Sequence, residues 1–333
     1  MSPTLSVVMP VYNEAEHLPA TIDALVDAVT RSHFDTELVF IDDGSTDGSA
    51  NVARDVLAER LPLVIVRQPN SGRFEARRRG LETAGHDWVL LLDGRIRLEP
   101  TSLELVGELL SESQRVWNGH VHVETAGNPY GAFWDVLAKL AWREYFDDPR
   151  TTSFDSETFD HYPKGTGCFL APRALLLEAI GAFRSHYGNL RFVSDDTGLI
   201  RWLAEREPVH ITPTFACHYS PRSSLRTFLR QALYRGSTFV DGHARRESRF
   251  FVPAVAFFPV SVALALLALR RPATIPALAA TTSIVAGSVA AVGGQPPFES
   301  ASFGLLTPLY AVAHGLGMWR GLLMVLANRR TPG

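Results

Sequence analysis

The chain has 333 residues, enough for a large core and an additional part, and it carries a formal net charge of -3 with a pI near 6.4. Because acidic and basic residues nearly balance and no basic stripe dominates, the composition argues against a nucleic-acid-binding protein. The two cysteines, Cys168 and Cys217, lie far apart and follow no zinc-ligand spacing, which favours buried, reduced thiols.

Residues 1–220 alternate strand-like and helix-like patterns, which predicts an α/β fold around a mainly parallel sheet. In chain order, buried strands are predicted at "LSVVMPV", "ELVFID", "LVIVR" and "WVLLLD", with helices between them. Asp42, Asp43 and Asp93 fall where strands end, at the edge where open α/β sheets bind ligands. Since no glycine-rich dinucleotide or phosphate-loop motif is present, these carboxylates imply a nucleotide diphosphate, bound directly or through a divalent cation.

Three long apolar runs follow residue 249, at residues 250–269, 274–294 and 303–327. The first has no charge and is long enough to span a membrane, and the second is rich in small residues that suit helix packing. The third is interrupted only by His314 and Arg320. We therefore predict a membrane domain at residues 250–333 with two to three transmembrane helices, against the alternative of water-soluble core helices.

The charges around these runs bear on their orientation. The N-terminus carries no targeting signal, so residues 1–220 are expected at the cytoplasmic face of the cell membrane, in a multi-pass protein. The positive-inside rule fits the arginines before the first run, but those after the first and third runs would face outward if all three crossed: Arg270, Arg271, Arg329 and Arg330. Either one segment is re-entrant or interfacial, or the charge bias is weak. Residues 221–249 contain "SSLRTFLRQALYRG", which predicts an amphipathic helix at the membrane surface.

Several stretches resemble, in the right order, the signatures of family 2 glycosyltransferases. They are "VVMPVYNEAEHL", "VFIDDGSTDGS", "NSGRFEARRRGLETAGHDWVLLLD", "GTGCFLAPRALLLEAIGAF" and "SDDTGLIRWLAEREPVHITPTFACH", and together they cover about two thirds of the chain. The resemblance implies a GT-A fold and an inverting hexosyl transfer from a nucleotide-diphospho-sugar donor. It also implies Mg²⁺ or Mn²⁺ as the cofactor, and the membrane runs point to a lipid-linked or cell-envelope glycan acceptor.

Carried over residue by residue, the resemblance places six side chains around the nucleotide and its phosphates: Pro10, Tyr12, Glu14, Asp42, Asp43 and Arg77. Asp196 matches the general base, with Asp195 at the position usually held by Glu. An inverting transfer needs one carboxylate within hydrogen-bond reach of the acceptor hydroxyl. Structural roles stay open, because Asp43 could be a turn residue and the two later acids could cap the helix that follows them.

Two further matches lie closer to the membrane runs. His218 ends a predicted strand and matches the family's late histidine, which can reach the metal or the diphosphate, although a structural role is equally open. Gln231 and Arg235 sit nearly where the family's Gln-x-x-Arg-Trp segment has its Gln and Arg, with Gly236 in place of the Trp. The resemblance implies that they face the acceptor or the diphosphate.

One departure from the family pattern lies in "LLLDGRIRL", where Asp93 is retained but Arg95 replaces the second acid of Asp-x-Asp. In an extended chain both side chains would point to the same side. Three interpretations follow: Asp93 anchors the cation with His218 while Arg95 turns aside, Arg95 replaces the cation at the leaving diphosphate, or the protein is a catalytically silent nucleotide-sugar-binding scaffold or partner subunit. Because Asp43, Asp93 and Asp196 are all retained, we expect an enzyme.

Overall fold

The computed structural model describes residues 3–246 and 248–328, so Arg329 and Arg330 lie outside the described residues. The chain divides into two compact units that are not consecutive in sequence. The first, here called the α/β unit, comprises Met1–His122, Glu144–Arg184 and Asp195–Ser220. The second, here called the helical unit, comprises Val123–Arg143, Ser185–Ser194 and Pro221–Gly333. The predicted boundary after residue 220 coincides with the last change of unit, but two segments before it belong to the helical unit.

Within the described residues, nine strands form one sheet: β1 (Thr4–Val11), β2 (Asp35–Asp42), β3 (Leu63–Arg67), β4 (Trp88–Leu92), β5 (Ile96–Leu98), β6 (Trp117–Val123), β7 (Thr152–Phe154), β8 (Cys168–Pro172) and β9 (Val209–Tyr219). The helices are α1 (Leu18–Arg31), α2 (Ser49–Leu57), α3 (Arg73–Thr83), α4 (Ser102–Leu109), α5 (Pro129–Ala141), α6 (Arg143–Phe146), α7 (Arg173–Ala182), α8 (Asp195–Ala204), α9 (Leu225–His243), α10 (Phe251–Arg270), α11 (Thr274–Val292) and α12 (Pro297–Asn328).

The sheet order is β3-β2-β1-β4-β8-β6-β9-β5, with β7 paired to β9. β1 to β4 are parallel neighbours, as the sequence predicts, while β8 runs antiparallel to β4 and makes the sheet mixed. The buried runs of β1, β2 and β4 are continuous rather than alternating because helices cover both faces of a parallel sheet, while the edge strand β3 is only partly buried. The register pairs Val11 with Asp42 and Asp42 with Arg67, so the loops that carry the site begin at one edge.

The helical unit is built from α5 and α9 to α12. By length and composition, α10, α11 and α12 are each long and apolar enough to cross a membrane, at 20, 19 and 32 residues. The segment predicted to be an amphipathic surface helix contains α9, whose Gly236 packs directly on Gly317 of α12 with no room for a side chain. An aromatic core links α5, α9 and α12, where the Phe133 ring lies 5.1 Å from both the Phe228 and the Phe303 rings.

Candidate active site

Two loops that follow β1 and β2 are joined by hydrogen bonds at the carboxyl edge of the sheet. The Asn13 side chain accepts from the Thr46 N–H at 2.8 Å, and the Asn13 N–H donates to Ser45 Oγ at 3.1 Å. Asn13 holds a left-handed backbone with φ 55°, which asparagine tolerates better than most residues. Pro10 lies at the end of β1, and Tyr12 beyond it is exposed. These loops present a fixed backbone frame rather than two independent turns.

Asp42 and Asp43 bind backbone groups at this edge. Asp42 Oδ1 accepts from the Ser45 N–H at 2.8 Å. Buried Asp43 accepts from the Ser71 N–H at Oδ1 (2.8 Å) and from the Gly72 N–H at Oδ2 (2.9 Å). Asp43 therefore fastens the loop that leads into α3, and its role at the nucleotide stays a prediction.

A cleft of about 230 Å³ opens beside this loop. Its size is below the about 300 Å³ of typical small-molecule pockets, so it suits one part of a ligand, such as a nucleobase. Its lining combines the predicted Asp42 with residues that sequence reasoning did not select: Gly44, Ser45, Gly48, Ser49, Ala50, Arg67 and Gln68. Arg67 ends the third predicted strand and Gln68 follows it. Their position at a strand end is the sequence feature that could have identified them.

Arg77 is the centre of an acidic cluster that joins three parts of the α/β unit. Its side chain is 2% exposed, and Nη1 contacts Asp195 Oδ2 and, at 2.8 Å, Asp196 Oδ1. Nη2 lies 3.0 Å from Asp93 Oδ1. The Thr166 hydroxyl also donates to Asp196 Oδ1. The structure thus brings four of the predicted site residues together, but it places Arg77 on the acids instead of leaving it open toward a phosphate.

The acids of this cluster differ in exposure and in charge. The Asp195 side chain is 6% exposed, and burial, with the neighbouring Asp196, raises the pKa of Asp195. The Asp196 side chain is 33% exposed. Burial alone would raise the pKa of Asp196, but Arg77, Arg73 and Thr166 outweigh it and lower that pKa to about 2. Asp196 is therefore ionised at neutral pH, and of the pair it is the one that a substrate can reach.

Arg95 pairs with Glu14 instead of facing Asp93. Arg95 Nε lies 2.6 Å from Glu14 Oε2, and the two side chains are only 14% and 11% exposed. A buried cation of this kind needs a partner, and Glu14 supplies it from the loop after β1. This arrangement agrees with the interpretation in which Arg95 turns aside. The Glu14 side chain, predicted to lie at the nucleotide, is bound to Arg95 instead.

His218 belongs to a separate cluster on β6 and β9. Its Nε2 lies 3.3 Å from Glu99 Oε1, and its ring centroid is 5.3 Å from that of His122. Next to them, His120 Nδ1 hydrogen-bonds the Tyr145 hydroxyl at 2.7 Å, and burial lowers the pKa of His120 to about 4. Among residues 3–246 and 248–328, no three His, Cys, Asp or Glu side chains form a group that could hold a metal ion. The predicted pair of metal ligands, Asp93 and His218, stays a prediction.

Gln231 and Arg235 lie on α9, in the helical unit. The Arg235 guanidinium stacks on the Trp134 ring at 4.3 Å from its centroid. Gln231 Oε1 is buried, with no hydrogen-bond partner in the part of the chain that the structure describes. Their proposed role toward an acceptor stays a prediction.

Comparison with known sequences relates about half of the chain to one family. The sequence profile described as "Glycosyl transferase family 2" matches residues 6–170. The chain carries a family 2 glycosyltransferase domain. The matched residues include the loops after β1 and β2, together with Arg77, Asp93 and Thr166 of the acidic cluster.

Relatives of this family 2 domain cover part of the chain. It is 39% identical over 101 residues to an undecaprenyl-phosphate 4-deoxy-4-formamido-L-arabinose transferase of Aeromonas hydrophila, which is 30% of this chain and 31% of that protein. It is 36% identical over 103 residues to a cholesterol galactosyltransferase of Borreliella burgdorferi, 31% of this chain and 28% of that one. The chain thus spans about a third of the length of these relatives.

Two solved structures share the fold. A mannosyltransferase from Pyrobaculum calidifontis, in complex with GDP-Man and Mn²⁺, aligns with a TM-score of 0.54 at 18% identity, over 96% of this chain and 88% of that one. S. aureus TarS 1–349, in complex with UDP, aligns with a TM-score of 0.53 at 16% identity, over 95% and 91%. The expected GT-A-like fold is confirmed, together with three C-terminal helices that could span a membrane.

Sequence reasoning missed several residues in or near the candidate site besides Arg67 and Gln68. Thr166 lies in "GTGCF", within a stretch that resembles one of the family's signatures, but no feature of the sequence indicated a role for its hydroxyl. Glu99, His120 and Tyr145 gave no motif signal at all. They meet only because β5, β6 and the chain near α6 converge in space.

Proposed function

We propose that this protein transfers a sugar, with inversion, from a nucleotide-diphosphate donor to a lipid-linked or cell-envelope glycan acceptor at the cytoplasmic face of the cell membrane. The observation that carries the proposal is the cluster of Asp93, Asp195 and Asp196 around Arg77, at the edge of a family 2 domain. The relatives named above include an undecaprenyl-phosphate transferase, which supports a lipid-linked acceptor.

In this proposal Asp196 is the general base. Arg77 and Thr166 both bond its Oδ1, so Oδ2 is the oxygen that would accept the proton of the acceptor hydroxyl. That hydroxyl would attack the anomeric carbon as the nucleotide diphosphate leaves from the opposite face of the sugar. Asp195 would hold Arg77, and Gln231 and Arg235 would face the acceptor or the diphosphate. A looser contact between Arg77 and Asp196 on donor binding would raise the pKa of Asp196 and strengthen it as a base.

A divalent cation fits this site only in part. Arg77 bonds Asp93 Oδ1, so Oδ2 is the carboxylate oxygen that would hold Mg²⁺ or Mn²⁺. Mg²⁺ sites often use one or two carboxylates and substrate phosphates, so further protein ligands such as His218 are not obligatory. When bound, the cation would neutralise charge on the leaving diphosphate.

The test of the base is Asp196→Asn in the full-length protein, assayed with a panel of nucleotide sugars and a polyprenyl-phosphate acceptor. We expect kcat to fall by about 10² to 10⁴-fold while donor affinity is kept, because the base acts on the acceptor. Asp55→Asn, at an exposed position of α2, is the matched control and should leave kcat unchanged. Near-normal turnover in Asp196→Asn would refute the assignment. A wild-type protein that binds donors but transfers to no acceptor would favour the silent scaffold.

Chelation tests the cation. Transfer should stop when a chelator removes divalent ions and return when Mn²⁺ or Mg²⁺ is added back, because Arg95 is held by Glu14 and does not replace the metal. The measurement is the transfer rate against free metal concentration. A rate unaffected by thorough chelation would show that cationic side chains stabilise the diphosphate instead.

A further inference from the structure

α12 is attached at both ends to short segments that leave and re-enter the α/β unit. Near its N-terminus, the Thr125 hydroxyl donates to Glu299 Oε1 at 3.0 Å. Near its C-terminus, the Asn328 side-chain amide donates to the His186 carbonyl oxygen at 3.1 Å, and the Arg320 guanidinium lies 4.2 Å from the Phe192 ring centroid. All these groups belong to the helical unit.

The distance between these two attachments exceeds the thickness of a membrane. At a rise of about 1.5 Å per residue, the helix from Glu299 to Asn328 is about 44 Å long. The hydrocarbon core of a bilayer is about 30 Å thick. Pro308 lies inside the helix, but a proline kinks a helix and does not reverse it. An α12 that crossed a membrane would therefore put Thr125 and His186 at opposite membrane surfaces.

The chain does not allow that separation. His122 and Arg184 are the last residues of two segments of the α/β unit, and Thr125 and His186 follow them closely in sequence. A residue extends the chain by at most about 3.5 Å, so Thr125 lies within about 11 Å of His122 and His186 within about 7 Å of Arg184. The α/β unit has one continuous sheet and can occupy only one side of a membrane.

We propose that α12 lies along the membrane surface, on the side of the α/β unit, and that only the α10–α11 hairpin inserts into the bilayer. This inference concerns membrane attachment and does not depend on sugar transfer.

The surface of α12 fits this position. Seven large apolar residues on α12 are between 44% and 72% exposed: Phe298, Leu305, Leu309, Val312, Leu316, Leu323 and Leu326. At about 100° per residue they fall within an arc of about 100°, so they form one stripe, here called the α12 stripe. The other side of α12 carries buried Phe303, Leu306 and Met318 and packs on its neighbours. The occupant of the α12 stripe is the acyl and headgroup boundary of the bilayer, where amphipathic helices bury one apolar face.

The α10–α11 hairpin contacts α12 through its base. Trp319 Nε1 donates to Ser261 Oγ at 3.1 Å, and the Trp319 ring lies 5.0 Å from that of Phe258. Gly304 packs on Gly287 of α11. Toward the tip, large residues such as Leu266, Leu269 and Ile275 are 52%, 78% and 55% exposed, as lipid contact requires.

Depth measurement along the α12 stripe tests the proposal in proteoliposomes. Nitroxide labels are placed by Leu305→Cys, Val312→Cys or Leu323→Cys in the full-length protein, and depth is read from collisions with oxygen and with a water-soluble nickel complex. The native Cys168 and Cys217 are 1% and 0% exposed, so unsubstituted protein gives the background. We expect all three labels at one shallow depth. A crossing helix would spread them over roughly 27 Å, and that result would overturn the proposal. Labels shielded from oxygen at all three positions would indicate a covering protein and would also overturn it.

Sidedness gives a second, independent measurement. Pro296→Cys and Ala327→Cys lie at exposed positions next to the two ends of α12, and Ser156→Cys is an exposed reference on the α/β unit. In sealed vesicles of known orientation, a membrane-impermeant maleimide should label all three from the same side. Either end of α12 reacting from the side opposite to Ser156→Cys would refute the surface position.

Discussion

Arg77 is the only cation that contacts Asp93, Asp195 and Asp196 together among the ion pairs of the described residues. Arg77→Ala should lower the free energy of unfolding by about 3 to 5 kcal/mol, because it leaves a buried carboxylate without its partner. Denaturant titration of the detergent-solubilised protein measures this change. Arg78→Ala is the matched control, because Arg78 is 48% exposed and pairs only with Glu75. Its effect should be about 0.5 kcal/mol or less.

The same variant should respond to pH in a predictable direction. In the wild type the pKa of Asp196 is lowered to about 2, so its contribution to stability is constant above about pH 5 and is lost only as the pH falls toward 2. Without Arg77, the pKa values of the clustered acids should rise above those of the unfolded chain, so the folded variant binds more protons. Arg77→Ala should then gain stability relative to wild type between pH 7 and pH 5. A stability difference that is constant over this range would contradict the assignment.

At the scale of elements, the contact between α9 and α12 depends on glycine. A Cβ built on Gly236 would lie 2.0 Å from the His314 carbonyl oxygen, which no rotamer change can relieve. Gly236→Ala should therefore push the helices apart and destabilise the protein by about 1 to 3 kcal/mol, measured by thermal unfolding. Gly181→Ala in α7 is the control, since a Cβ there meets nothing within 4 Å. It should be neutral or slightly stabilising. Equal effects of the two substitutions would argue against a close helix crossing.

The whole molecule cannot be divided cleanly after residue 220. α5 belongs to the helical unit, and its Phe133 and Trp134 are 0% and 6% exposed because α9 and α12 cover them. A fragment of residues 1–220 should therefore expose this aromatic surface and aggregate without detergent. The double variant Phe133→Gln/Trp134→Gln of the fragment should be less aggregated. Light scattering of both fragments measures the difference, and a monodisperse unmodified fragment would show that α5 does not need α9 and α12.

The same fragment should bind a nucleotide diphosphate but transfer poorly to a lipid-linked acceptor, since α9 and the apolar helices are missing from it. The structure adds that loss of transfer in such a fragment would not by itself identify an acceptor site. The double variant separates the two causes, because it removes the exposed aromatic surface without restoring the missing helices.

The sequence by itself determined many of the elements of this protein and the family that residues 6–170 match. Apolar runs of strand or helix length are local features, so β1 to β4, α9 and the three apolar helices could be predicted directly. The ordered motifs from "VVMPVYNEAEHL" to "WVLLLD" identified a family 2 glycosyltransferase domain for the same reason, because each motif is contiguous. Asp93 and Asp196 were selected from such motifs.

Only the tertiary structure decided which charged groups are partners. Arg95 could have faced Asp93 or turned aside, and the choice depends on Glu14, a residue from another loop. Arg77 was expected near phosphates, but three acids from distant parts of the chain surround it. The hydropathy of α12 fits a transmembrane helix, whereas its hydrogen bonds to Thr125 and His186 argue for the membrane surface. Pairing and placement are set by contacts between residues far apart in sequence, and a local pattern carries no information about them.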